Sequence, residues 1–404
     1  MRVVIVGNGL AGTIAGKTIR ELDSKAEIII LSEEKYPYYP RPNLIDFLAG
    51  LIPLEKVFAF SEGWAERQRL QIRLGQKIIK VEPSKPSVKL ADDEEIDADY
   101  LVLATGARPF LPPVVGLEKR GVFVIRTLDD VLELLEFIQS KPEVIVLGGG
   151  LLGLEVARAL SLRGLEKITV VEFFNRLLPR QLDEYGASLL QAQLEKMGIK
   201  VFLGREVTEV FGGGSVSGIR FKDGQVVAAG AVIMASGIKP RTELALECGL
   251  DCSRGVVVND YLNTSHPKIY AAGDVAEHRG KIYGLIPAAF EQARILAFNL
   301  SGQVKKYEGT IPANTLKVIG LNLTSIGLIA PEEGDYEILT RKEPEIGVYK
   351  KLVLKKDLVV GAIWFGTKKG VQEISRLIQS GKKIGDFKNE ILEDNFDFSR
   401  IFQE

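Results

Sequence analysis

Gly7, Gly9 and Gly12, followed by Glu33, form one set of residues suited to gripping a ligand, and Gly148, Gly150, Gly153 and Glu172 form a second. In the first set, Val3-Val4-Ile5-Val6 leads directly into Gly7-Asn8-Gly9-Leu10-Ala11-Gly12. Gly7 permits a tight turn, Gly9 leaves no side chain between backbone and a phosphate, and Gly12 lets the next helix lie close on the strand. A helix opening near Leu10 aims its first amides at that phosphate. Glu33 stands 21 residues after Gly12 and follows Glu27-Ile28-Ile29-Ile30-Leu31, where a carboxylate can accept from ribose hydroxyls. A lone glycine-rich turn is weak evidence, so the weight rests on this context and on its repetition. Val144 to Gly153 repeats the turn, and Ile168-Thr169-Val170-Val171 ends in Glu172. Two such units imply two dinucleotides.

These residues need two βαβ units to carry them. The fold class is α/β, with two Rossmann-like dinucleotide-binding domains plus a C-terminal α+β domain. Each copy closes on an apolar strand that breaks at a small residue and glycine: Thr105-Gly106 in the first, Ser236-Gly237 in the second. A further strand, Ile269-Tyr270-Ala271-Ala272, ends in Gly273-Asp274, which puts an acid in the crevice where open α/β sheets bind ligands. A helix-capping carboxylate is the plainer alternative for Asp274.

Between these motifs, three prolines and three tyrosines in Tyr36 to Leu44 predict a stiff loop, not a helix, placed to wall a planar ring. Phe110-Leu111-Pro112-Pro113 reads as a linker, and Leu128 to Gln139 has the spacing of a packing helix. Past residue 305, apolar strands are joined by a Lys-Lys-Asp turn, and the repeated Lys-Lys pairs read as a solvated face. The tail 386–404, charged with spaced phenylalanines, is either docked or partner-binding.

The 404 residues carry 52 basic and 53 acidic side chains, so no global field recruits nucleic acid or a membrane surface. No uncharged apolar run approaches the ~20 residues of a membrane helix, and the first strand starts at Arg2; a cytoplasmic protein without a signal peptide is expected. The two cysteines, Cys248 and Cys252, read as structural, and His266 and His278 lie in no ligand-spaced cluster, so no metal is expected.

With these motifs in order, the chain resembles the FAD- and NAD(P)H-dependent two-dinucleotide-domain reductases, the pyridine-nucleotide-disulfide-oxidoreductase superfamily. Within it, the chain is most similar to NADH:rubredoxin oxidoreductases and to the flavin module of the assimilatory nitrite reductase large subunit. The hairpin from Tyr349 to Ala362 carries part of that closer likeness. The resemblance implies that the second unit is inserted in the first, with FAD on the first at 1–112 and 240–304, NADH on the second at 113–239, and a C-terminal α+β domain at 305–404. Gly7, Gly9, Gly12 and Glu33 then hold the ADP half of FAD, with Ile78 near the adenine. Arg41, Thr105, Gly106 and Arg126 flank the cofactor, with Gly237 and Gly273 closing their strands; Asp274 holds the ribityl or pyrophosphate region and Ile286 approaches the flavin ring. Gly148, Gly150, Gly153 and Glu172 hold NADH, and Glu155 lies near the nicotinamide. Two departures stand out: Tyr36 to Leu51 lacks the redox cysteine of the disulfide reductases, and Asp46 replaces the flavin-facing lysine of the ferredoxin-reductase branch, which leaves Arg41 as its substitute.

The implied activity passes hydride from NADH to FAD, then electrons to a small redox protein such as rubredoxin or to a partner reductase subunit. Glu172 opposes a 2′-phosphate and so favours NADH over NADPH, although Arg176 and Arg180 lie nearby in sequence. A peroxide-forming NADH oxidase and a flavin-holding interaction protein are the competing readings. Oligomeric state is open.

Overall fold

The computed structural model describes residues 1–140, 142–331 and 333–402, with the backbone alone for 314–318. The chain falls into two compact units: Met1–Phe110, Arg126–Glu133 and Gly237–Thr310 form the first; Leu111–Ile125, Leu134–Ser236 and Ile311–Glu404 form the second.

In the first unit, strand β1 (Arg2–Val6), helix α1 (Leu10–Leu22) and strand β2 (Glu27–Leu31) make the opening βαβ turn. All but the first residue of each strand is buried, as expected for central strands of a parallel sheet covered on both faces. The sheet order is Ile269–Ala271, Tyr100–Leu103, β1, β2, Gln71–Arg73, every pairing parallel. Helix Ile286–Leu300 packs on α1, and a three-stranded antiparallel sheet, Ile78–Glu82, Ser87–Leu90 and Glu95–Asp97, completes the unit.

The second unit repeats the plan with strand β3 (Val144–Leu147), helix α2 (Leu151–Leu162) and strand β4 (Ile168–Val171). Its sheet runs Lys200–Phe202, β4, β3, Ala231–Met234, Val122–Val124, again parallel throughout. Corresponding backbone bonds recur: Gly7 N–H donates to Leu31 O and Gly148 N–H to Val171 O, both at 2.8 Å. The α/β class with two dinucleotide folds is therefore present. The closing segments Ala107–Pro109 and Ile238–Pro240 pair antiparallel within the first unit.

Residues 311–404 are grouped with the second unit. They form an antiparallel five-stranded sheet in the order Ala313–Val318, Leu321–Gly327, Leu358–Phe365, Val348–Lys355, Glu337–Glu343, with helix Val371–Ser380 against it. The tail, described to residue 402, is docked there: Ile391, Leu392 and Ile401 join the core around Leu352, Trp364 and Leu377.

Two expectations fail in part here. Lys355-Lys356 and Lys368-Lys369 are exposed as expected, but Lys350 and Lys351 are 2% and 6% exposed and form no solvated face. Lys350 Nζ donates to Leu392 O and Asp394, and Lys351 Nζ to Asp183, so each buried charge has an acidic partner. Nor does the Pro/Tyr stretch exclude a helix throughout, since Arg41–Leu48 is helical with Pro42 in its first turn. Proline is tolerated there because the N–H it lacks would have no intrahelical partner.

A side chain at Gly12 or Gly153 would drive its Cβ into the carbonyl oxygen of Gly7 or Gly148. Gly12→Val is expected to lower the unfolding free energy of the first unit by about 3 kcal/mol or more, read as a lower urea midpoint by circular dichroism. An unchanged midpoint contradicts the packing.

Candidate functional site

The first glycine turn is shaped as a phosphate cradle. Gly7 has φ +114°, which a side chain resists, and its Cβ would strike the Ala104 carbonyl. At Gly9 no heavy atom lies within 4 Å of where a Cβ would stand, so the space in front of the turn is open. Gly9 is also the N-cap of α1, and no side chain caps that helix. Its first-turn amides are left for a ligand. The second turn has the same construction: Gly148 at φ +124° against the Ala235 carbonyl, open space at Gly150, and Gly150 as uncapped start of α2. Both turns fit a dinucleotide pyrophosphate, because no side chain caps either helix and the position that faces the open space is glycine.

The acids at the strand ends differ. Glu33, half exposed, pairs with Arg241 at 2.9 Å. Arg241 also donates its backbone N–H to Gly106 O and accepts from Thr105 Oγ1 through its carbonyl, at 2.9 Å each. Glu33, Thr105 and Gly106 are thus joined through a residue that the sequence reading did not single out. Glu172 is 6% exposed, and its carboxylate accepts from the backbone N–H of Gly149 at 2.6 Å and of Phe174 at 2.9 Å. It therefore braces the second glycine turn. Phe173 and Phe174, more than half exposed, follow this acid. Arg176 Nη2 donates to Pro179 O at 3.3 Å.

Around the first cradle, Gly273 packs on Ala11 of α1, and its N–H donates to Gln292 on helix Ile286–Leu300. Next to it Asp274 accepts from Arg126 Nη2 at 3.1 Å. The Arg126 guanidinium also lies 3.5 Å from where a Cβ on Gly106 would stand. Asp274, Arg126, Gly106 and the first turn therefore converge within one unit. Ile78 opens its antiparallel strand and packs on the main core; Ile286 is exposed at the start of its helix; Gly237, at φ +108°, accepts from Phe110 N–H.

Arg41 is held by protein groups. Its Nη atoms donate to Glu34 at 2.6 Å, to Tyr39 Oη at 2.7 Å and to the Arg126 carbonyl at 2.5 Å. Burial works against its charge, but the bonds and charge of Glu34, aided by Tyr39, outweigh it and raise its pKa. Glu155, on α2, accepts from Ile319 N–H at 2.7 Å and pairs with Arg158 at 3.5 Å, so the structure sets it against the C-terminal sheet of its own unit. Asp46 lies on helix Arg41–Leu48, and its backbone carbonyl accepts from the Leu51 N–H at 2.9 Å. Glu34, Tyr39 and Arg241 were not foreseen. Glu34, Tyr39 and Arg41 bond to one another within eight residues of sequence, whereas Tyr39 to Leu128 and Arg241 to Glu33 join segments far apart in the chain.

Comparison with known proteins places this geometry. Residues 1–293 match the family described as pyridine nucleotide-disulphide oxidoreductase, and residues 312–382 the rubredoxin NAD+ reductase C-terminal domain. The NAD(P)H nitrite reductase of Bacillus subtilis (strain 168) is 37% identical over 95% of this chain and 48% of its own length, so the chain spans about half of that relative. The NADH oxidase of Methanocaldococcus jannaschii is 34% identical over 82% of this chain and 77% of its own. The crystal structure of NADH:rubredoxin oxidoreductase from Clostridium acetobutylicum superposes with a TM-score of 0.81 at 26% identity, covering 98% of this chain and 99% of that one.

Because the space at Gly9 is open, Gly9→Val is expected to leave the unfolding midpoint of the ligand-free protein unchanged while abolishing dinucleotide binding by the first unit. Calorimetric titration and thermal melts check this together; undiminished binding contradicts the cradle.

Proposed function

The chain belongs to the pyridine nucleotide-disulphide oxidoreductase family, and from that membership we propose that it is an FAD-dependent NADH oxidoreductase that delivers electrons to a redox-protein acceptor. The observation that carries this is the doubled cradle: two uncapped helix starts behind two open glycines, each in a βαβ unit whose second strand leads to an acid. The first unit holds FAD through Gly7, Gly9, Gly12, Glu33, Thr105, Gly106, Arg126 and Asp274; the second holds NADH through Gly148, Gly150, Gly153 and Glu172, with Glu155 serving the nicotinamide end. When bound, FAD would supply the conversion between a two-electron hydride donor and one-electron acceptors. What the protein contributes is binding and orientation, with no need for a nucleophile.

Thiol chemistry is disfavoured by the residues present. Cys248 and Cys252 are the only cysteines; both are half-buried free thiols, and burial pushes both thiol pKa values up, which keeps them protonated and unreactive. The acceptor is a small one-electron carrier such as rubredoxin, or a partner reductase subunit, a reading supported by the C-terminal domain match and by the rubredoxin oxidoreductase superposition. The M. jannaschii relative favours a second reading, in which oxygen takes the electrons.

Steady-state turnover separates the two. NADH oxidation that accelerates at least ~10-fold on adding rubredoxin supports the carrier reading, whereas the same rate with oxygen alone supports the oxidase. Glu172→Arg is expected to shift the ratio of kcat/KM for NADH over NADPH by about ten-fold or more toward NADPH, because it removes a carboxylate that opposes the 2′-phosphate and adds a partner for it. An unchanged ratio contradicts the assignment of Glu172.

A further inference from the structure

Tyr39 is 5% exposed, and its hydroxyl is fully engaged. It donates to Glu34, and it accepts from Arg41 Nη1 at 2.7 Å and from the Leu128 backbone N–H at 3.0 Å. One donor and two acceptor positions are all that a phenol has. Burial pushes its pKa up, so the proton given to Glu34 stays in place.

Three bonds from Tyr36, Tyr39 and Arg41 reach across some ninety residues of sequence to one segment. Arg41 Nη1 holds the Arg126 carbonyl, Tyr39 holds Leu128 N–H, and Tyr36 Oη donates to Asp129 at 2.7 Å. The segment is also stiffened from within, since Asp130 accepts from the N–H of Arg126 and of Thr127 at 2.9 and 2.7 Å. With its own N–H and carbonyl both held, Arg126 has a fixed backbone from which its guanidinium meets Asp274 and the space beside Gly106.

We propose that Tyr39, Glu34 and Arg41 form a clamp that positions Arg126 toward the cofactor of the first unit, so that Arg41 acts through Arg126 and does not polarise the flavin itself. The proposal rests on the reading of the first unit as the FAD half. Arg41 is suited to this role and not to direct chemistry, because Glu34, Tyr39 and the Arg126 carbonyl take its Nη donors. Removing the Tyr39 hydroxyl leaves the Leu128 N–H, buried in this contact, without its acceptor and releases one Glu34 oxygen, which costs more than the bond itself is worth.

The test is a double-mutant cycle on the full-length protein, with FAD affinity read by flavin fluorescence during reconstitution of the apoprotein and with the flavin absorbance spectrum recorded at saturation. Tyr39→Phe is expected to weaken FAD binding about ten-fold, and to add almost nothing in an Arg126→Ala background. Arg41→Lys is expected to behave the same way, with no spectral change beyond that of Arg126→Ala alone. Thermal melts of each apoprotein separate a folding defect from a positioning one, and Glu34→Gln, which preserves shape, gives a second entry to the cycle. Wild-type affinity in Tyr39→Phe, or full additivity with Arg126→Ala, overturns the clamp. A spectral shift from Arg41→Lys that survives in the Arg126→Ala background overturns the indirect role of Arg41. If the wild-type chain takes up no FAD at all, the FAD reading itself fails, and that outcome is distinct from failure of the clamp.

Discussion

The close approach of a helix to the turn that precedes it is the constraint on which both dinucleotide folds depend. Gly12 and Gly153 let α1 and α2 rest on the carbonyls of Gly7 and Gly148, where any Cβ would collide. That contact sets the angle at which each helix leaves its strand. The angle in turn aims the uncapped amides at the open space beside Gly9 and Gly150. Without it the amides would still exist, but they would not converge.

The two copies share this frame and diverge at the acid. Glu172 is buried and spends its carboxylate on two backbone amides, one of them in the glycine turn itself. Glu33 is open to solvent and paired with an arginine that also bonds the Thr105-Gly106 break. A carboxylate oxygen can accept more than one hydrogen bond, so neither arrangement closes the site to a ribose. They do differ in how strongly the acid is tied to the turn, and substitution of Glu172 disturbs the cradle more directly than substitution of Glu33.

Strands, turns and the repeat were legible in the sequence because each rests on local signals: apolar runs, glycine spacing, and an acid after the second strand of each pair. The burial of Lys350 and Lys351 was not, since it depends on Asp394 and Asp183, which lie 44 and 168 residues away in the chain. Pro42 misled for a different reason: proline excludes a helix interior, but not a helix start. Among the site residues, Asp274 was visible at its strand end and Arg41 and Arg126 through a family resemblance, while the contacts of Tyr39 with Leu128 and of Arg241 with Glu33 emerged only once distant segments were brought together. Polar networks of this kind leave no periodic trace in a sequence, because each member is chosen to satisfy a partner that folding supplies.

The central claim is that one unit holds FAD and the other delivers NADH to it. Anaerobic titration of the purified, FAD-loaded protein with NADH, followed by visible absorbance, tests this most directly. The account predicts that the flavin band bleaches to completion with about one equivalent of NADH per FAD, as a two-electron donor requires. A flavin band that persists through excess NADH, or a chain that cannot be loaded with FAD, would contradict it.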